Sequence, residues 1–116
     1  MLEFMPLPSE DADYRLAFRL VMQDPPLDRE ILEDLMGAPK RYGDLRRLLD
    51  GRNDNVLTKA LARLRDEGAV HAGIDLESGD KLYGLMALGK LAILRMYQML
   101  PHVESIRAYE RGKSAA

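Results

Sequence analysis

Between two glycines, the stretch GRNDNVLTKALARLRDEG (residues 51–68) leaves the backbone few choices. It follows RYGDLRRLLDG, where Leu45, Leu48 and Leu49 make an i, i+3, i+4 stripe that predicts a helix of about two turns. Gly51 accepts the left-handed conformation that stops such a helix. Asn53 stands where an N-cap belongs, because its side-chain oxygen can accept from a first-turn amide. The next helix is expected from about Asp54 to Glu67, with Gly68 as its stop. Directly afterwards the apolar period changes. AVHAGID alternates, with Val70, Ala72 and Ile74 on one side, and KLYGL follows after the turn-forming LESGD. This predicts a β-hairpin, with Tyr83 packed beside the first strand. Two short helices joined by a tight turn, the second followed at once by a hairpin, describe a winged helix-turn-helix.

The flanks are helical. Tyr14, Ala17, Phe18 and Val21 recur at helical spacing, predicting a helix from about Glu10 to Met22 with Ser9 or Asp11 as its cap. QDPPLD ends it, since proline cannot continue the hydrogen-bond ladder. A short helix follows from about Asp28 to Met36, with Ile31, Leu32 and Leu35 inward and Gly37 past its end. The last segment, ALGKLAILRMYQMLPHVESIRAY, reads as a long helix over about 87–110. Leu88, Leu91, Ala92, Met96 and Met99 form its stripe, Val103 and Ile106 continue it, and Pro101 interrupts it. Residues 1–9 are expected as a flexible arm, 10–110 as one domain and 111–116 as a tail. Within the domain the helix-turn-helix covers about 42–67 and the wing about 69–85.

On the helix after Asn53 the sides separate cleanly. Advancing about 100° per residue from Leu57 puts Val56, Ala60, Leu61 and Leu64 in one inward sector. Asn55, Lys59, Ala62 and, at the edge, Thr58 form the outward one, with Arg63 and Arg65 on its two flanks. The major groove admits an α-helix. Asparagine pairs with adenine, lysine donates to guanine or phosphate, and threonine offers a hydroxyl or a methyl. Alanine allows close approach. The flanking arginines suit phosphates better than bases.

The charge distribution sharpens this. The net charge is −2. Residues 1–39 hold three basic against nine acidic side chains, whereas residues 40–65 hold eight against three. A basic block in an acidic chain is a local electrostatic footprint, although a solvated helical face has the same composition. The expected phosphate and base contacts are Arg41, Arg46, Arg47, Arg52, Asn53, Asn55, Thr58, Lys59, Arg63 and Lys81.

Other chemistries find little support. With no cysteine, disulfides, thiolate catalysis and cysteine-ligated zinc are excluded. No P-loop, nucleophile elbow or dinucleotide fingerprint occurs. His71 and His102 lack clustered partners and read as surface or structural histidines. Met22, Met36, Met86, Met96 and Met99 read as core or interface filler, with a small-molecule pocket as the rarer use. Carboxylate pairs such as Glu33–Asp34 and Asp66–Glu67 point apart on their helices and make no catalytic dyad. No catalytic residue, metal or cofactor is expected. No signal peptide or membrane span is read, so the expected location is cytoplasmic.

The segment from residue 30 to 95 resembles the HxlR-type winged-helix regulators, relatives of the MarR group. The likeness rests on Arg41-Tyr42-Gly43-Asp44-Leu45, Gly51, Val56-Leu57-Thr58, Leu61 with Leu64, Gly68-Ala69-Val70, and Tyr83 and Leu85 with Gly89. The resemblance implies a homodimeric DNA-binding transcription regulator, with repression ahead of activation. It implies Asn53 to Arg63 as the groove-reading segment, Ser78 to Lys81 as the wing tip, and terminal helices that build the dimer. Asp75, Glu77 and Asp80 depart from the family's basic wing, and Asn53 and Asp54 replace its usual serine and proline. Met86 replaces a threonine, and the N-terminal cysteine of oxidant-sensing members is missing.

The fold class expected is mainly α with a small β-hairpin, a winged helix-turn-helix with N- and C-terminal dimerisation helices. The last helix's stripe outruns one small domain, so Leu91, Leu94, Met96, Met99, Val103 and Ile106 are expected at a homodimer interface, and the resemblance, which implies a dimer built by both terminal helices, adds Tyr14 and Phe18. A two-fold dimer would set its recognition helices one DNA turn apart, about 34 Å, matching a short palindromic operator. The expected partners are double-stranded DNA and a second copy. The alternative is a winged helix that docks a protein through its acidic N-terminal region or exposed stripe. A third reading is a ligand sensor with a pocket between the terminal helices.

Overall fold

The computed structural model describes residues 11–103 together with 105, 108, 109, 111 and 112. The expected arm over 1–9, Ser9, Ile106 and residues 113–116 of the tail lie outside the described residues. Helix α1 spans Ala12–Met22 and α2 spans Leu27–Leu35. Strand β1 (Lys40–Arg41) leads into α3 (Tyr42–Leu45) and a 3₁₀ turn over Arg46–Leu49. Helix α4 covers Asp54–Asp66, strands β2 and β3 cover Val70–Ile74 and Lys81–Leu85, and α5 runs Ala87–Met99. No helix among the described residues is long and apolar enough to cross a membrane.

The central expectations hold at the level of individual bonds. Asn53 caps α4, its side chain accepting from the Asn55 amide at 2.7 Å. At the other end the Gly68 amide donates to Arg65 O and the Ala69 amide to Leu64 O, with Gly68 at φ +81°. This is the paired arrangement that closes a helix through a left-handed glycine. Gly51 is also left-handed, at φ +86°, and Asp50 before it shares that conformation at φ 52°. Leu57, Ala60, Leu61 and Leu64 are buried and Val56 half-buried, as the angular reading of α4 predicts.

The structure departs from expectation in three places. The stretch before Gly51 is one α-turn followed by a 3₁₀ turn, not a continuous two-turn helix. The tighter winding seats both Leu45 and Leu49 in the core. Arg52 holds it, donating to the carbonyls of Leu49 at 2.7 Å and Leu48 at 3.2 Å. The sheet has three strands in the order β1-β3-β2, all antiparallel, rather than a bare hairpin. The extra strand pairs Lys40 with Tyr83 and Arg41 with Leu82, and two residues are too few to show an alternating pattern. On α5 the buried face is Gly89, Ala92, Ile93 and Met96, so the stripe is rotated away from Leu91. Pro101 interrupts the helix as expected, within a 3₁₀ turn over Leu100–His102.

Helix α1 packs along α5, and α2 lies between them and α4. Leu20, Ile31, Leu32, Leu45, Leu57, Leu64, Ile93 and Met96 are fully buried in one core. Gly89 lets α5 start directly over the end of α4. A Cβ there would stand 2.5 Å from Ala69 O, the carbonyl that accepts from the Met86 amide.

Leu64→Ala should lower stability by about 2–5 kcal/mol in urea unfolding, the usual cost of a core leucine truncation. Leu76→Ala, at a hairpin-tip position that is 97% exposed, should change it by less than about 0.5 kcal/mol.

Candidate nucleic-acid interface

Helix α4 is held at its N-terminus by the preceding turn. Tyr42 Oη donates to the Asp54 carbonyl at 3.1 Å and shares a 3.0 Å hydrogen bond with Thr58 Oγ1. Arg46 Nε donates to the Asp54 carboxylate at 3.2 Å. The Asp44 carboxylate in turn accepts from the Arg41 amide, which fixes the start of α3. Tyr42 is therefore a positioning residue for α4 that the sequence showed only as the aromatic member of a pattern. The Thr58 hydroxyl is occupied, while its methyl stays available.

Beyond that first turn α4 presents Asn55, Lys59 and Ala62 as an exposed face. Lys59, and also Arg65 and Lys81, make no ion pair with any described residue. The other predicted cations are engaged, and the strength of each engagement matters. Arg46 pairs with Asp54 and Arg47 with Asp34, both guanidiniums being more than half exposed. The Arg46–Asp54 pair is exposed on both sides and contributes about 0–1 kcal/mol, so a phosphate can replace that carboxylate at little cost, whereas the Asp34 carboxylate facing Arg47 is only 15% exposed. Arg41 bridges to Asp75 at 3.9 Å and Asp80 at 3.6 Å, joining β1 to the wing. The Asp75 carboxyl sits below its usual pKa. Hydrogen bonding from the Glu77 amide is the largest cause, ahead of Ser78 and Arg41.

Two arginines require correction. Arg52 is turned onto its own turn's carbonyls, not outward. Arg63 does not flank the exposed face freely. Its Nε and a terminal nitrogen grip both oxygens of Asp28, at 3.1 and 2.8 Å. Asp28 is completely buried and is also reached by Arg19 at 2.9 Å. Burial pushes the Asp28 pKa up. Hydrogen bonds from Arg63 and Gln23 and the charges of Arg63 and Arg19 outweigh it, so the carboxyl stays below its usual range. A buried carboxylate cannot surrender its partner cheaply, so Arg63 belongs to the scaffold. Arg19 continues the network by gripping Glu67 at 2.7 and 2.5 Å, at the far end of α4.

The predicted interface residues divide in the same way. Tyr14 and Phe18 on α1 and Leu91 and Leu94 on α5 are all about half exposed. The Arg95 guanidinium lies 4.6 Å over the Tyr14 ring and donates to Asp13, tying the two helices beneath that surface. Met96 is a correction. It is fully buried in the core and has no surface to offer a second copy. Met99 and Val103 are half-buried against the same core, and Ile106 lies outside the described residues. His71 and His102 are exposed, as expected, and among the described residues no group of His, Asp or Glu could hold a metal.

No family model matches the chain, and a search of curated proteins finds no match. Solved structures do match. One is a protein named as a transcriptional regulator of the MarR family from Enterococcus faecalis V583. It is 24% identical, with a TM-score of 0.60, over 94% of this chain and 96% of that one. Another, from Salmonella typhimurium, is named as the transcriptional regulator ytfH. It is 19% identical, with a TM-score of 0.57, over 89% and 91%. The adhesin competence repressor AdcR of Streptococcus pyogenes is 17% identical, with a TM-score of 0.57, over 95% and 84%. The chain thus has the winged-helix architecture of these proteins, mainly helical with a small antiparallel sheet.

Replacing Asp28 by asparagine should destabilise the fold. The loss should fall below the ~3–5 kcal/mol of a fully buried pair, because both guanidiniums reach solvent. The folded state keeps Asp28 ionised to lower pH than the unfolded chain does. The stability gap between the two proteins should therefore be full above about pH 4 and close as pH falls below it. Urea titrations at several pH values measure this.

Proposed function

We propose that this chain is a homodimeric, DNA-binding transcription regulator that reads a short palindromic operator through α4. One observation carries the reading: α4 is held from behind by a leucine face and by the Arg63 pair to buried Asp28, while Asn55, Lys59 and Ala62 stand uncovered in front. The fold shared with proteins named as regulators supports it.

The chemistry follows from the geometry. With α4 in the major groove, Asn55 is suited to pair bidentately with adenine and Lys59 to donate to guanine or phosphate. Thr58, its hydroxyl held by Tyr42, offers its methyl to thymine. Arg46 exchanges its exposed partner, Asp54, for a phosphate, and the exposed Arg47 guanidinium reaches a second phosphate while it stays beside Asp34. The exposed apolar side chains Tyr14, Phe18, Leu91 and Leu94 cover one another across a two-fold axis. Each buried side chain of this size contributes on the order of 1.5–3 kcal/mol. Occupying the operator excludes other proteins from it, so repression is the expected outcome, in the cytoplasm where such DNA lies.

Selecting bound fragments from a random duplex pool should recover a palindrome. Affinity for it should then fall linearly in log[salt]. Asn55→Ala should cost about 1–3 kcal/mol and relax the preference at one position of each half-site. A folded protein with no affinity for any duplex at low salt would instead favour a protein-docking module. Leu94→Glu should yield monomers in sedimentation velocity and lose operator affinity with them; dimers that persist would remove this surface from the interface.

A further inference from the structure

Where the last turns of α4 meet the start of β2 lies an open cleft of about 480 Å³, lined by Ala62, Arg65, Asp66, Val70, His71 and Ala72. Among the described residues strand β2 is a sheet edge, paired only with β3. Its register is uniform from Val70↔Leu85 to Ile74↔Lys81. Bonds just outside that run, Met86 amide to Ala69 O and Asp75 amide to Asp80 O, fix which residues face β3. Antiparallel ladders alternate, so His71 and Gly73 bond to β3 while Val70 and Ala72 turn their amides outward at the free edge. The His71 ring lies across Gly84 on β3, where a Cβ would stand 2.6 Å from its Nε2. Arg65 is exposed and makes no ion pair with a described residue.

We propose that this cleft seats one phosphodiester of the bound duplex in each half-site, with the Arg65 guanidinium and the outward Ala72 amide as donors. The proposal rests on the DNA-reading function above and adds a contact to it. If α4 occupies a major groove and the hairpin flanks it, the DNA strand separating that groove from its neighbour has to pass between the two. The cleft lies on that path. Its Ala62 and Ala72 side chains are small enough for a sugar-phosphate backbone to approach. A guanidinium and a backbone amide are the donors that fix phosphates without reading sequence. Asp66 shares the cleft and opposes the phosphate, so it sets the contact's strength below what Arg65 alone would give.

The test compares wild type, Arg65→Ala and Asp66→Asn on the selected operator carrying single methylphosphonate substitutions, with folding checked by circular dichroism. Arg65→Ala should weaken binding to all sequences alike, by roughly 10-fold or more per half-site, as the loss of a charge-assisted hydrogen bond predicts. It should reduce the salt slope by about 0.9 per half-site. Asp66→Asn should strengthen binding. One methylphosphonate position per half-site should weaken wild type and cost Arg65→Ala markedly less. The proposal is overturned if every methylphosphonate costs both proteins equally, or if Arg65→Ala binds as wild type does. In either of those cases, retained sequence-selective binding that Asn55→Ala relaxes leaves the DNA reading intact. A folded wild type without duplex affinity defeats both.

Discussion

The fully buried carboxylate of Asp28 decides how α4 sits. It has no contact with solvent, so its charge is tolerable only because two guanidiniums and the Gln23-anchored turn surround it. Those guanidiniums come from α1 and α4, while Asp28 itself begins α2. The three helices therefore meet at one charge, and Arg19 carries the connection on to Glu67 at the last turn of α4. Apolar packing alone would permit α4 to slide or roll on its leucines. Directional hydrogen bonds at one end, and Tyr42 with Arg46 at the other, remove that freedom.

The same arrangement sorts the charges. A basic block in the sequence suggests a broadly cationic surface, yet most of its arginines already face carboxylates. Depth determines what this means. Pairs in solvent are worth little and can be exchanged for a phosphate, whereas Arg63 on buried Asp28 cannot. On α4 itself the cations without an ion pair to a described residue are Lys59 and Arg65, a narrow strip running from the uncovered face towards the edge of the sheet. A narrow strip suits one DNA strand at a defined position better than diffuse attraction to polyanions. It fits a chain whose net charge is slightly negative. The acidic hairpin belongs to this logic too, since Arg41 compensates Asp75 and Asp80 from the neighbouring strand instead of leaving the tip cationic.

The amino-acid sequence by itself determined the features that close within a few residues. The Asn53 cap, the glycine stops at 51 and 68, the inward sector of α4, the hairpin and the break at Pro101 all rest on neighbours less than one helical turn or one hairpin away. So did the uncovered positions of Asn55, Lys59 and Ala62, which follow from the same angular count. Tertiary structure decided what each exposed-looking side chain would meet. Arg63 finds its partner 35 residues away and Arg19 finds Glu67 across 48, and no local pattern encodes either distance. It also decided that Met96 belongs to the core while Leu91 does not, because the buried face of α5 is set by how α1 and α2 lie against it. It recruited β1, whose two residues form a strand only because β3 offers an edge. Local bonds are fixed by chain geometry. Partner choice among long, flexible, charged side chains is fixed only when packing brings distant helices together and removes their water.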